Sequence, residues 1–244
     1  MKIMCCLKIV THLWYYILMS ELPAVGEYTV RIEEYVDEST GIECLREEWR
    51  DSRNYIHRIA GPAVKYISVE TGKVFKEEWQ RDYEYHRDNA PAIIEGKEGE
   101  LNISETWYQY GQKHRDGAPA YLMKDNEGRM LQEAWYHEGM LNRADGPAYT
   151  LRDEDSFVAY QESHFKMGEF HNLDGPAHIQ RNQTTGVICL EEWHLEGKLH
   201  RDNGPAIIKR DYVSGQVTEQ RFYENGIETK PSKSEFSLAS RFEP

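Results

Sequence analysis

Three tripeptides of the order His-Arg-Asp stand at 86–88, 114–116 and 200–202, and a series of glutamates, Glu77, Glu105, Glu133 and Glu191, recurs along the same stretch. Imidazole, guanidinium and carboxylate in that order occur in phosphoryl-transfer loops, where the aspartate takes the proton of the attacking hydroxyl. That chemistry also needs a Gly-rich nucleotide loop, a strand lysine and Asp-Phe-Gly, and the chain has none of them. A metal held by the histidines fails on distance. Equivalent positions two strands apart are separated by about 9–10 Å, whereas zinc ligands approach the ion to about 2.0–2.3 Å. The same spacing opposes a retaining glycosidase pair, whose carboxyls sit about 5–5.5 Å apart, though distance alone leaves an inverting pair open. GxSxG, HExxH and the P-loop are also missing. No catalytic residue, no metal ligand and no cofactor is expected.

The elements that carry these residues form an internal repeat. Pro-Ala occurs at 62, 91, 119, 147, 176 and 205, at spacings of 28 or 29 residues. A ring precedes each: Trp49, Trp79, Trp107, Trp135, His164 and Trp193, with Phe222 in a last partial copy. Between ring and Pro-Ala lies a pair: His57-Arg58, His86-Arg87, His114-Arg115, Asn142-Arg143, His171-Asn172 and His200-Arg201. Two β-prone runs around a Gly turn (HIQR and VICLEEWHL in the cleanest copy) read as a hairpin. Gly111, Gly139, Gly168, Gly197 and Gly226 follow the ring by four residues, where a turn needs positive φ. Seven hairpins in a row are predicted.

Strand alternation puts the ring, the glutamate two before it and the residue four before it (Phe75, Leu131 or Cys189) on one face. The residue after the ring, such as Tyr108, Tyr136 or Phe165, lies on the other. Arginine can stack on an aromatic face and pair with a carboxylate. A structural rung per repeat follows, with Arg87, Arg115, Arg143 and Arg201 on the tryptophans and on Glu77, Glu105, Glu133 and Glu191. The copies vary in concert, since Asn172 replaces arginine where His164 replaces the tryptophan. Each histidine is expected to satisfy backbone groups of the following turn. The same rings form a candidate protein-binding surface: Trp79, Trp107, Trp135, Trp193, Tyr108, Tyr136, His164 and Phe165.

Aromatic-x-x-x-Gly-x-x-His units in tandem, as in Trp107-Tyr-Gln-Tyr-Gly111-Gln-Lys-His114, resemble MORN repeats over residues 40–228. The unit departs from that family in having Arg after its His and an added Asp-Gly-Pro-Ala turn. The resemblance implies an all-β fold, an elongated antiparallel meander or solenoid of tandem β-hairpins.

The 244 residues are 12% aromatic, too many for a disordered chain. Counted with Gly and without Tyr, the apolar share is about 40%, below the roughly 45–50% of ordinary domains, so the core is thin. Residues 21–228 carry 24 bases against 40 acids, which repels phosphate backbones and anionic lipid and favours a basic partner. Direct nucleic-acid binding is therefore not expected. Four cysteines without metal-site spacing fit a reducing compartment, and the cytoplasm is expected. The sequons at Asn102 and Asn182 read as chance matches. Residues 1–18 form a non-core extension, either an upstream mis-start or a signal or anchor, the one route to a membrane. Residues 19–228 form the repeat domain, and 229–244 are expected as a flexible tail. The function expected is a non-enzymatic scaffold, adaptor or inhibitor that binds a protein. The alternatives are an acidic nucleic-acid mimic and, behind it, a hydrolase using the glutamates.

Overall fold

A computed structural model describes residues 28–38, 41–96 and 103–230. The 1–18 extension and nearly all of the 229–244 tail lie outside the described residues. The fold is all-β: an antiparallel meander of hairpins with no helix among the described residues. It divides into two compact units, 1–114 and 115–244.

In the first unit the main sheet runs Thr29–Val36, Glu43–Arg50, Val64–Ser68, Val74–Glu78, Ile93–Glu95 and Ser104–Thr106, each strand antiparallel to the next. In the second it runs Tyr121–Lys124, Met130–Ala134, Tyr149–Arg152, Ala159–Ser163, His178–Arg181, Ile188–Glu192, Ile207–Arg210 and Val217–Glu224, and Ile227–Thr229 follows. Three main hairpins in one unit and four in the other match the seven predicted.

The hairpins close through turns set by side chains. Asp153 Oδ1 accepts the N–H of Ser156 at 2.9 Å, and Asn182 and Asp211 do the same in the next two hairpins. Past the turn of five of the main hairpins the pairing slips by one residue, as between Gln180 and Arg181. The residue set in is Phe75, Leu131, Tyr160, Cys189 or Thr218. The column expected four residues before the ring on an even strand is therefore a β-bulge in these five copies, which bends the strand and raises its twist, whereas Leu45 is paired in regular register with Glu34.

Five repeats, those of Trp79, Trp107, Trp135, His164 and Trp193, also carry a second, shorter hairpin beside the predicted one. After the ring the chain leaves the main sheet and forms a two-stranded ribbon, as in Tyr108–Gln109 with Gln112–Lys113 or Phe165–Lys166 with Glu169–Phe170. The physical reason lies at the ring residue. The Trp193 N–H donates to Ala206 O in the main sheet, whereas its carbonyl accepts the His200 N–H of its own copy. The ribbon turns have two positive φ values in sequence, 49° at Glu196 and 74° at Gly197, the mark of a type I′ turn. The second copy lacks the glycine and holds Tyr83 at 70° instead. The alanine of each Pro-Ala (63, 92, 120, 148, 177, 206) is fully buried, which leaves no room for a larger side chain.

Candidate functional site

The arginines stack on the tryptophans of their own copies. Arg58, Arg87, Arg143 and Arg201 lie 3.9, 3.6, 4.0 and 3.8 Å from the ring centroids of Trp49, Trp79, Trp135 and Trp193. Each guanidinium also reaches forward by one turn. Nη1 of Arg58, Arg87, Arg115, Arg143 and Arg201 donates to the carbonyl of Pro62, Pro91, Pro119, Pro147 and Pro205, at 3.1–3.3 Å. In copy five Asn172 Nδ2 makes the same bond to Pro176 O at 3.0 Å. The paired change of ring and arginine is thereby explained: with no tryptophan to cover, only the hydrogen bond is kept.

The histidines staple one repeat to the next. Nδ1 of His57, His86, His171 and His200 accepts the N–H of Asp82, Tyr110, Glu196 and Asn225, the first positive-φ residue of the following ribbon turn. Asn142 Oδ1 accepts the Met167 N–H in the same way. This fixes the tautomer, so Nε2–H of His86 and His200 donates to Asp88 and Asp202, each at 3.1 Å.

The glutamate half of the rung is corrected where its partners are seen. Glu133, Glu162 and Glu191 pair with Arg152, Arg181 and Arg210 at 3.6, 2.5 and 2.7 Å. These arginines come from the neighbouring hairpin, and Arg143 pairs with Asp145 instead. Glu47 accepts the Trp49 indole N–H at 2.7 Å. For Glu77, burial pushes the carboxyl up, with Lys65, Arg87 and Arg58 opposing from a distance. Glu105 lies opposite Ile94 on the neighbouring strand. The arginines at 152, 181 and 210 were legible as a column five residues after Pro147, Pro176 and Pro205.

None of the candidate binding rings is fully open. Trp79, Trp107, Trp135, Trp193, Tyr108, Tyr136, His164 and Phe165 are half-buried. Tyr108 packs on Tyr85 at 5.1 Å, and Phe165 stacks on Phe170 at 4.3 Å. The open rings of the first unit, among the described residues, are Tyr35, Tyr55, Tyr83 and Tyr110, exposed by 39, 39, 48 and 64%. Tyr83 packs on Tyr55 at 4.7 Å and its hydroxyl donates to Asn54 O, while Tyr110 lies on His86 at 4.5 Å. A repeat-column search misses them, because Tyr83 stands where other copies carry glycine.

Opposite the ring face, the first unit buries carboxylates. Glu78 accepts from Tyr66, Tyr85 and the Gln80 amide, and Glu48 holds Arg46 and Arg50. Burial first, then Glu78, pushes the Tyr85 hydroxyl well up. In the second unit the matching positions carry Ala134, Ser163, the half-buried Glu192 and Arg221, and Ser163 Oγ meets His178 Nδ1 at 2.8 Å. Burial lowers the His178 pKa against the pull of Glu192. Contact with the His194 imidazole, against burial, holds the Glu192 carboxyl below its ordinary range.

Asp51, His57 and Asp82 come together closely enough to suggest a cation site. The Arg53 guanidinium already bridges the two aspartates, and His57 Nδ1 is taken by the Asp82 N–H. The Asn182 sequon is likewise engaged, buried and bonded through Nδ2 to Tyr212 O and through Oδ1 to two backbone N–H groups. Among the described residues no helix is long and apolar enough to cross a membrane. Comparison with family models, curated proteins and solved structures found no match.

Proposed function

We propose that the chain is a non-enzymatic repeat module, akin to MORN repeats, that binds a protein partner as a scaffold, adaptor or inhibitor in the cytoplasm. One observation carries the reading. The recurring histidines and arginines hold neighbouring turns in place, while Tyr83 and Tyr110 stand open at the ribbon tips. Tyrosine is enriched among residues that dominate binding energy. Residues 21–228 carry 40 acids against 24 bases, so the partner surface that fits is basic. Two features weigh against the nucleic-acid mimic and the hydrolase: Glu133, Glu162 and Glu191 are matched by arginines, and equivalent glutamates recur two strands apart.

The test is a pull-down with the full chain at low and moderate salt, repeated with Tyr83→Ser and Tyr110→Ser. A stoichiometric partner that both substitutions weaken is the expected result. A partner retained by both variants would move the site elsewhere. Glycan or ester turnover abolished by Glu105→Gln would replace the reading with the hydrolase.

A further inference from the structure

Among the described residues the last main strand has one open side. Ile188–Glu192 is paired on both sides, with His178–Arg181 and Ile207–Arg210, and all five of its residues are at least half-buried. One repeat later, Val217–Arg221 is paired with Ile207–Arg210 alone among the described residues, because Ile227–Thr229 pairs only with Phe222–Glu224. Four of those five residues are exposed. Tyr212, Val213 and Ile227 of the same copy are also exposed, by 52, 78 and 71%.

The hydrogen-bonding side of this edge can be derived from the copy before it. The Ala177 N–H donates to Glu192 O, on the preceding strand's side, and the Trp193 N–H donates to Ala206 O, on the following side. Backbone groups alternate sides along a strand, so Glu191 shares the direction of Trp193. Gln220 is its counterpart 29 residues on, and its N–H and C=O face the open side. In earlier copies that side is filled by Pro-Ala and two further strand residues; in the last such strand Ala206, Ile207 and Ile208 are buried to 0, 8 and 8% exposure.

We propose that the open edge of Val217–Arg221 takes an extended segment of a protein partner as its next strand, a segment of Pro-Ala followed by two aliphatic residues. The inference rests on continuity with the repeat-to-repeat interface, where Ala92-Ile93-Ile94 and Ala206-Ile207-Ile208 cover the equivalent edges of Val74–Glu78 and Ile188–Glu192. Main-chain hydrogen bonds supply affinity and the alanine and aliphatic positions supply selectivity, as in strand addition generally. It concerns the end of the array and makes no use of the tyrosines, so it stands or falls apart from the function proposed above.

The probe is a synthetic peptide copying Asn203–Arg210 of this chain, titrated into the full-length protein and followed by calorimetry and amide chemical shifts. Saturable binding is expected, with shifts confined to residues 217–229. Gln220→Pro should weaken it at least tenfold while the circular dichroism is unchanged, since an edge strand tolerates proline. Should that variant unfold, a peptide N-methylated at the position of Ile208 removes the matching donor without altering the protein, and the same loss is expected. No saturable binding, or equal binding by the methylated peptide, overturns the proposal. Binding that appears only after Phe236→Asp and Leu238→Asp also overturns it, and assigns the edge to the chain's own C-terminal residues.

Discussion

The two units use one set of columns in different ways. In the second, Glu133, Glu162 and Glu191 are neutralised by Arg152, Arg181 and Arg210, five residues after a Pro-Ala proline. In the first, the residues at that distance are Ile67 and Gly96. There Glu47 turns to the Trp49 indole, and Glu77 sits half-buried with its carboxyl pushed up. The opposite face differs as well: buried carboxylates Glu48 and Glu78 in the first unit, against buried Ala134 and Ser163 and a half-buried Glu192 in the second. A residue outside the repeat's signature decides what a signature residue does.

The sharpest test of this contrast is Glu78→Ala. It strands the donors of Tyr66, Tyr85 and Gln80 in a buried place, and a loss of about 3–5 kcal/mol is expected in urea denaturation. Ser163→Ala, at the matching position of the second unit, removes one hydrogen bond and should cost about 1 kcal/mol. Equal losses would break the distinction between the two faces.

A double-mutant cycle on Trp79→Leu and Arg87→Met should give a coupling of about 0.5–2 kcal/mol. The same cycle on His164→Leu and Asn172→Ala should give a coupling near zero, because the Asn172 side chain bonds to Pro176 O and the Asp174 N–H and covers no tryptophan. Additive effects at Trp79 and Arg87 would make the stack incidental.

Arg181→Met removes the bridge to Glu162 and a bond to Ala159 O. Both side chains are partly exposed, so the loss should be about 1 kcal/mol and shrink as salt rises. A salt-independent loss would point to packing of the arginine stem.

The smallest effects should have opposite signs. Glu77 has a raised carboxyl pKa, so its favourable contribution is present below its unfolded pKa and is lost as pH rises through the folded value. Glu77→Gln should therefore stabilise at pH 7, by less than about 1 kcal/mol, with the gain fading at pH 4. Glu192 is lowered, so its contribution is present above its unfolded pKa and is lost as pH falls through the folded one. Glu192→Gln should destabilise at pH 7, and the difference should close in acid. Melting curves at the two pH values check both signs, and a shared sign would dissolve the contrast.

Much of this was legible in the chain itself. The period, seven hairpins, arginine-on-tryptophan stacks and the histidine contact with the next turn all follow from residue types kept at fixed spacing. The ribbon was not legible. Its two short runs and its glycine read as β-turn-β wherever they lie, and the break occurs in the hydrogen bonds of a single ring residue. Nor could the partner of each glutamate be read, since two arginine columns stood in reach and spacing does not rank them. The exposed tyrosines were hidden for a related reason: Tyr83 and Tyr110 occupy neighbouring turn positions, so they form no column.

The sequence by itself determined the repeat, the turns and the fully buried alanines, because local backbone preference and strand alternation act within one copy. Tertiary structure alone decided which arginine meets which glutamate and that the ring leaves the sheet. It also left the last strand open on one side among the described residues. Those outcomes depend on distances between neighbouring copies, where several partners of like chemistry compete and geometry selects among them.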